Sequence, residues 1–179
     1  YMNLLKISHH SQIPEKYENT PIAELIKYHN LLYEFEVYDS AQLLIGMCMD
    51  NRKQLRIPEN FAYIIRTGGG NLRYSEFKVS YAIAISNVKH IALIAHDNCG
   101  MVNLMSKREN FVNGLCKNAG WDRQRAEEHF MNYAPMFEID NEIEFVINEA
   151  HRLENKYKGV CVAPLFYSLK DNMLSFISD

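Results

Sequence analysis

The sequence predicts an α/β fold built on a central, mostly parallel sheet of four strands with an antiparallel edge strand. Three observations carry this reading. Four short apolar runs, Leu43–Met47, Phe61–Ile65, Ile91–Ala95 and Val160–Tyr167, have the length and composition of strands, and Leu43–Met47 reads as one buried on both faces. Segments of helical periodicity stand between them, and strand–helix–strand alternation argues for right-handed parallel crossovers. A last run, Met173–Ile177, follows the turn signal Asp171-Asn172 closely enough to hairpin back at a sheet edge.

Taken in order, residues 1–20 are polar, with His9-His10 and Pro14, and read as an irregular arm with one short helical piece. Thr20-Pro21 is a helix start, because Thr caps and Pro suits the first helical position. Ile22, Leu25, Ile26, His29 and Leu32 or Tyr33 then recur at helical spacing. Residues 33–38 alternate more like an extended piece. Leu72–Val88 reads as a helix whose apolar positions are Leu72, Phe77, Tyr81, Ala84, Ile85 and Val88. Met101–Met105 reads as a short helix. Residues 107–134 read as two helical pieces broken near Asn118-Ala119-Gly120. Asn141–Tyr157 is amphipathic, with Ile143, Val146, Ile147, Ala150 and Leu153 on one face and Lys158-Gly159 ending it. Pro164 predicts a fray or bulge in the fourth strand. With 179 residues and no linker or repeat, the chain reads as one domain over 1–179, with 1–40 as its N-terminal arm.

Composition excludes several function classes. A formal charge of −3 gives no electrostatic reason to expect nucleic acid or an anionic membrane surface. No apolar run approaches the ~20 residues of a membrane span, and Tyr1-Met2-Asn3-Leu4-Leu5-Lys6 does not resemble a signal peptide. Cys48, Cys99, Cys116 and Cys161 are too few and too scattered for a disulfide scaffold. A reducing cytoplasm is expected, with some cysteines kept as metal ligands.

Two motifs carry the chemistry. Cys48-Met49-Asp50-Asn51-Arg52 ends the first strand, and His96-Asp97-Asn98-Cys99 ends the third. Parallel strands deliver their C-terminal ends to one edge, where open α/β sheets bind ligands. Cys48, His96 and Cys99 therefore form a candidate Zn2+ site of three soft ligands with a fourth position left open. Alone, His-x-x-Cys is more often a helix cap and a buried thiol; its place after an apolar strand lowers that reading well below half. Asp50 and Arg52 alternate with Cys48, so extended geometry puts all three on one side. Arg52 keeps Asp50 ionised. Asp50 either closes the site as fourth ligand or, held off by Arg52, accepts a hydrogen bond from the water there. Zinc with two thiolates and a neutral imidazole has a net charge near zero and acidifies water weakly, which favours a working carboxylate. Gly68-Gly69-Gly70 lacks both the P-loop ending and the dinucleotide spacing. It reads as a tight turn walling the cleft, with Gly68 and Gly69 as candidate substrate-pocket residues. Cys116 and Cys161 read as packed thiols, and His29, His90, His129 and His151 show no evident partner.

These residues resemble the β-class carbonic anhydrases. That family carries Cys-x-Asp-Ser-Arg after its first core strand and His-x-x-Cys after its third. Arg66-Thr67-Gly68-Gly69 is similar to its Arg-Asn-Ala-Gly turn, and the strand ending in Tyr167 to its late Val-x-Gly-x-x-Tyr strand. The likeness runs from about residue 20 to the end. It departs at Asn51, Thr67-Gly68, Met101 and Ala163-Pro164, and keeps every ligand and the Asp50–Arg52 dyad. The resemblance implies helices on both faces of the sheet, and a homodimer or larger assembly with an N-terminal helical arm laid across the partner. It implies a carbonate dehydratase, a zinc lyase that reversibly hydrates CO2 to bicarbonate through a zinc-bound hydroxide. Cys48, His96 and Cys99 would hold zinc, with Asp50 a fourth ligand in a closed state only. Two alternatives stand beside it: a hydrolase of carbon disulfide or carbonyl sulfide, and a catalytically weak zinc-binding regulatory protein on the same fold.

Overall fold

Eleven regular elements follow one another along the chain, and the computed structural model describes residues 3–178. Tyr1, Met2 and Asp179 lie outside the described residues. The elements are β1 (Asn3–Lys6), α1 (Pro21–His29), β2 (Leu43–Cys48), β3 (Ala62–Thr67), α2 (Glu76–Ala84), β4 (His90–His96), α3 (Arg108–Ala119), α4 (Arg123–Phe137), α5 (Glu142–Lys156), β5 (Cys161–Tyr167) and β6 (Leu174–Ser178). The six strands form one sheet in the order β1-β6-β5-β4-β2-β3. β5, β4, β2 and β3 run parallel, β6 is antiparallel to β5, and β1 is antiparallel to β6.

Alternation along the strands sorts the core into two layers. Leu43, Ile45 and Met47 of β2, with Ala92 and Ile94 of β4, face a layer closed by Ile22, Leu25 and Ile26 of α1. Leu44 and its neighbours Ile91, Leu93 and Ala95 face α2 and α5, through Val79, Ala82, Val146, Ala150 and Leu153. Helices thus cover both faces, as a parallel sheet requires. Gly46 sits where a side chain has no room: a Cβ there would stand 2.9 Å from both Leu72 Cδ1 and Leu93 Cδ2. The helix ends follow the sequence signals. Thr20 Oγ1 accepts from Ile22 N–H ahead of Pro21, Asn141 accepts from Ile143 and Glu144 N–H, and Gly120 ends α3 at φ +67°.

The structure corrects the sequence reading in five places. The arm begins with a strand, and β1 rather than β6 forms that sheet edge; its partner lies at the other end of the chain (Asn3 opposite Ser178), beyond the reach of local pattern. Behind that strand, Ile7, Ile13 and Tyr17 bury in the chain's core, with Tyr17 stacked on Phe176 at 4.9 Å. The 72–88 helix shortens to α2 after a 3-10 turn, and its buried positions are Val79 and Ala82, while Phe77, Tyr81 and Ile85 are exposed. The short helix lies at 104–107 as a 3-10 turn. Pro164 does not interrupt β5: pairing with β4 runs through it, while the β6 ladder stops beside it at Leu165. His29, without a partner in the sequence, has two. Its Nε2 donates to Asn172 O (2.9 Å), and its Nδ1 accepts from Arg56 N–H (3.0 Å).

Candidate metal centre

The site lies where the chain reverses direction across the sheet. From β2 the chain moves to β3 on one side, then through α2 to β4 on the other. The C-terminal ends of the adjacent parallel strands β2 and β4 thus face the crevice at a topological switch point. Cys48 is the last residue of β2 and His96 the last of β4. Asp97 and Asn98, the latter at φ +57°, turn the chain so that Cys99 comes back beside them. Asp97 Oδ1 pins this turn by accepting from Leu169 N–H (2.7 Å), and Glu142 accepts from Cys99 N–H (3.2 Å).

The ligand atoms of Cys48, His96 and Cys99 lie within 4.8 Å of one another, and all three residues are buried. The two sulfurs are 4.0 Å apart. Sulfurs sharing one tetrahedral zinc, each at ~2.3 Å, stand about 3.8 Å apart. His96 Nδ1–H donates to Asp97 O (2.8 Å), which fixes the tautomer with Nε2 bare. That Nε2 is buried without a hydrogen-bond partner. A buried acceptor left unmet is costly, and here it faces two thiols. The donor set therefore fits a zinc ion. Without a metal the thiols titrate as a pair. The hydrogen bond from Cys99 holds the Cys48 thiol far down, burial opposes this, and the N–H groups of Asp50 and Gly69 add to it. The same contact pushes Cys99 up.

Asp50 stands apart from the three. It is absent from the metal-capable group and is bound to Arg52, whose Nε donates to Oδ1 (3.0 Å) and Oδ2 (2.9 Å) and whose backbone N–H donates to Oδ1 (2.9 Å). Arg52 also donates to Asn98 O (3.1 Å), linking the two motifs. Residues 49–52 are a turn and not the extended strand of the sequence reading, because an Asp side chain that caps the N–H two residues on favours a turn. The Arg52 guanidinium and N–H hold the Asp50 carboxyl well below the usual carboxylate range.

Lys53 and Arg66 were not legible as site residues. Lys53 is fully buried, and its Nζ donates to Asp50 O (2.8 Å). Arg66 on β3 donates to Cys48 O (3.1 Å) and Lys53 O (3.1 Å). Together they tie down the carbonyls of the turn that carries the dyad. Burial pushes the Lys53 ammonium down against the pull of the nearby Cys48 and Asp50 charges. No sequence signal marks a buried lysine, a residue type almost always at the surface.

A cavity of about 300 Å3 opens beside this centre, walled by Met49, Met101, Phe111, Phe130, Tyr133 and Phe137, with Gly68 in its lining. Gly69 is not in the lining; it holds φ +64° behind it, against Met101 and Ile139. At Gly68 a Cβ would meet Met101 Sδ at 3.1 Å and Phe137 Cδ1 at 3.2 Å. Asn71 ties the glycine turn to α4 through Met136 O (2.9 Å). Residues 107–134, without an assigned role in the sequence, supply one wall through α3 and α4. The signal was there: Phe130, Tyr133 and Phe137 recur on one helical face. His129 is also in this wall, packed between Trp121 and Tyr133.

No family model and no curated protein matches the chain in sequence. Solved structures match it in fold. The β-carbonic anhydrase isoform I of Trichomonas vaginalis superposes with a TM-score of 0.64 at 15% identity, over 83% of this chain and 90% of that one. The carbonic anhydrase of Glaciozyma antarctica gives 0.63 at 15% identity, over 93% and 100%. The chain has the β-carbonic anhydrase fold. A carbon disulfide hydrolase is also similar, with a TM-score of 0.56 at 18% identity over 77% and 79%. At these identities the likeness is one of fold, and chemistry has to be argued from the site. Among the described residues no helix is long and apolar enough to cross a membrane.

Proposed function

We propose that this chain is a zinc enzyme that reversibly hydrates CO2 to bicarbonate. The observation that carries the reading is the convergence of Cys48, His96 and Cys99 within 4.8 Å, beside an ionised Asp50 held by Arg52. Zinc held by these three residues would supply the Lewis acidity that ionises water near neutral pH.

The chain's own groups do the rest. His96 is held in the tautomer that presents Nε2 by its hydrogen bond to Asp97 O. Met49, Met101, Phe130 and Phe137 exclude water from the side on which an apolar, linear molecule approaches. In the reaction an oxygen of water bonds the carbon, one C=O electron pair moves onto oxygen, and one proton leaves. A carboxyl held as low as Asp50 does not keep a proton near neutral pH. Asp50 therefore orients the reacting water as an acceptor, and the proton passes on to solvent, to which its side chain is 20% exposed.

Stopped-flow CO2 hydration by the zinc-loaded chain tests the reading. Turnover that rises with pH between about 7 and 9, where metal-bound water ionises, is expected; none across that range overturns it. The second reading, hydrolysis of carbonyl sulfide or carbon disulfide, is favoured by the apolar lining of the cavity. It predicts release of hydrogen sulfide without CO2 turnover. A zinc-binding regulatory protein would show neither.

A further inference from the structure

Among the described residues Lys53 is the only buried lysine, and it is 0% exposed. Lysine is almost never fully buried unless it is paired, because taking a charge out of water is costly. The partner here is a backbone oxygen: Lys53 Nζ donates to Asp50 O (2.8 Å). Burial disfavours the ammonium, the charges of Cys48, Asp50 and Cys99 offset this, and Arg66 opposes them. A buried charge is weak evidence for stability. Its contact with the residue beside the metal ligands points instead to a task at the site.

Asp50 is held from two sides. On the water side stands Arg52, whose side chain is 47% exposed. An ion pair open to water contributes little and is screened by salt. On the inner side stands Lys53, where a hydrogen bond from a charged donor is stronger because water does not compete for it. Arg66 adds a longer bond to the same oxygen (3.4 Å). The aspartate side chain has one carbon between backbone and carboxyl, so the position of its backbone decides what the carboxylate reaches. With the Asp50 carbonyl drawn inward, Oδ1 accepts from Arg52 N–H (2.9 Å), and the carboxylate stays outside the group formed by Cys48, His96 and Cys99.

We propose that Lys53 is a positioning residue: through the Asp50 carbonyl it keeps the Asp50 carboxylate off the metal and so keeps the fourth position free. The assignment rests on the zinc reading and deepens it. Zinc accepts a carboxylate oxygen as readily as water, so a carboxylate this near needs a restraint if the site is to stay open. Arg52 by itself is a restraint set in water; Lys53 supplies one that water and salt do not reach. If Lys53 only filled space, a long apolar side chain would serve equally well, and this separates the two roles.

Cobalt(II) loaded in place of zinc reports the coordination shell by its visible absorption, and azide probes whether the fourth position is free. Lys53→Met keeps the length and packing of the side chain and removes the donor; exchanging a buried charge for an apolar residue of similar size is often tolerated. Azide should bind the cobalt-loaded Lys53→Met chain about tenfold or more weakly than wild type. Tenfold corresponds to ~1.4 kcal/mol, within what one hydrogen bond to a charged group contributes. In the Asp50→Asn background the same substitution should leave azide affinity unchanged, because Lys53 acts only through the carboxylate. Equal azide affinity in Lys53→Met and wild type, or an equal loss in the Asp50→Asn background, would overturn the assignment. Should Lys53→Met fail to fold, the azide-free spectra of wild type and Asp50→Asn decide: matching bands are expected, and wild-type bands shifted by carboxylate coordination would overturn it. Cobalt bound by wild type without thiolate-to-cobalt absorption would instead remove the metal site, and the assignment with it.

Discussion

Replacing Gly46 by alanine adds one methyl group to β2, two residues before Cys48. In an ordinary strand this change stabilises by about 0.5–1 kcal/mol, because alanine loses less backbone freedom on folding. Here the sign should reverse. The new Cβ would stand 2.9 Å from Leu72 Cδ1, 2.9 Å from Leu93 Cδ2 and 3.2 Å from Leu72 Cγ. Carbon atoms pack best at ~3.5–4.0 Å, so the neighbours must open by about half an ångström or more. Leu72 and Leu93 are 0% and 1% exposed and have no free volume to turn into. Overpacking of this kind costs about 1–3 kcal/mol. The strain sits between β2 and β4, whose ends carry Cys48 and His96, so zinc affinity should fall as well. Urea unfolding of the zinc-free chain reads the first effect, and metal titration of the folded variant the second. A Gly46→Ala chain as stable as wild type, with unchanged zinc affinity, would refute the packing argument and the link from core to site.

The remaining predictions concern the site and its surroundings. Cys48→Ser and Cys99→Ser should each lose most of the bound zinc by metal analysis; undiminished content would remove them as ligands. Asp50→Asn should keep the metal and lose most CO2 turnover, since the amide still accepts from Arg52 but lacks the charge; wild-type turnover would show that the carboxylate is not needed. His29 gives a pH effect with a definite sign. Burial holds it neutral, its Nδ1 accepts from Arg56 N–H, and a proton there would end that bond. Its folded pKa is lowered, so the unfolded chain binds the proton first. The stability it contributes is complete above about pH 6.5, the unfolded value, and is lost progressively below that as pH falls toward the folded value. The melting temperature should drop between pH 7.5 and 5.5 more in wild type than in His29→Gln; equal drops would dismiss the effect.

Much of the candidate metal centre was readable because its parts are local. Cys48-x-Asp50-x-Arg52 and His96-x-x-Cys99 are short, and each follows an apolar run long enough to be a strand. Strand ends in a parallel sheet share an edge, so the ligands' meeting followed from pattern alone. The same holds for the break between α3 and α4 at Gly120 and for the caps at Thr20 and Asn141. What pattern misplaced depended on distant partners. Phe77, Tyr81 and Ile85 have helical spacing, yet spacing does not say which side of α2 meets the sheet. Val79 and Ala82 take that side, packed in one buried layer with Leu44, Leu72 and Leu93.

By itself, then, the sequence determined most strand and helix types and the two short motifs that supply the three candidate ligands and the Asp50–Arg52 pair, all set by residue chemistry over a few positions. Only the tertiary structure decided the rest. It added β1 to the sheet through pairing with the far end of the chain, and buried Lys53 beneath the dyad. It turned Asp50 onto Arg52 and away from the thiols, and made α3 and α4 the wall of the cavity. Each of these rests on contacts between residues far apart along the chain, whose free energy depends on packing in three dimensions and leaves no periodic trace in one.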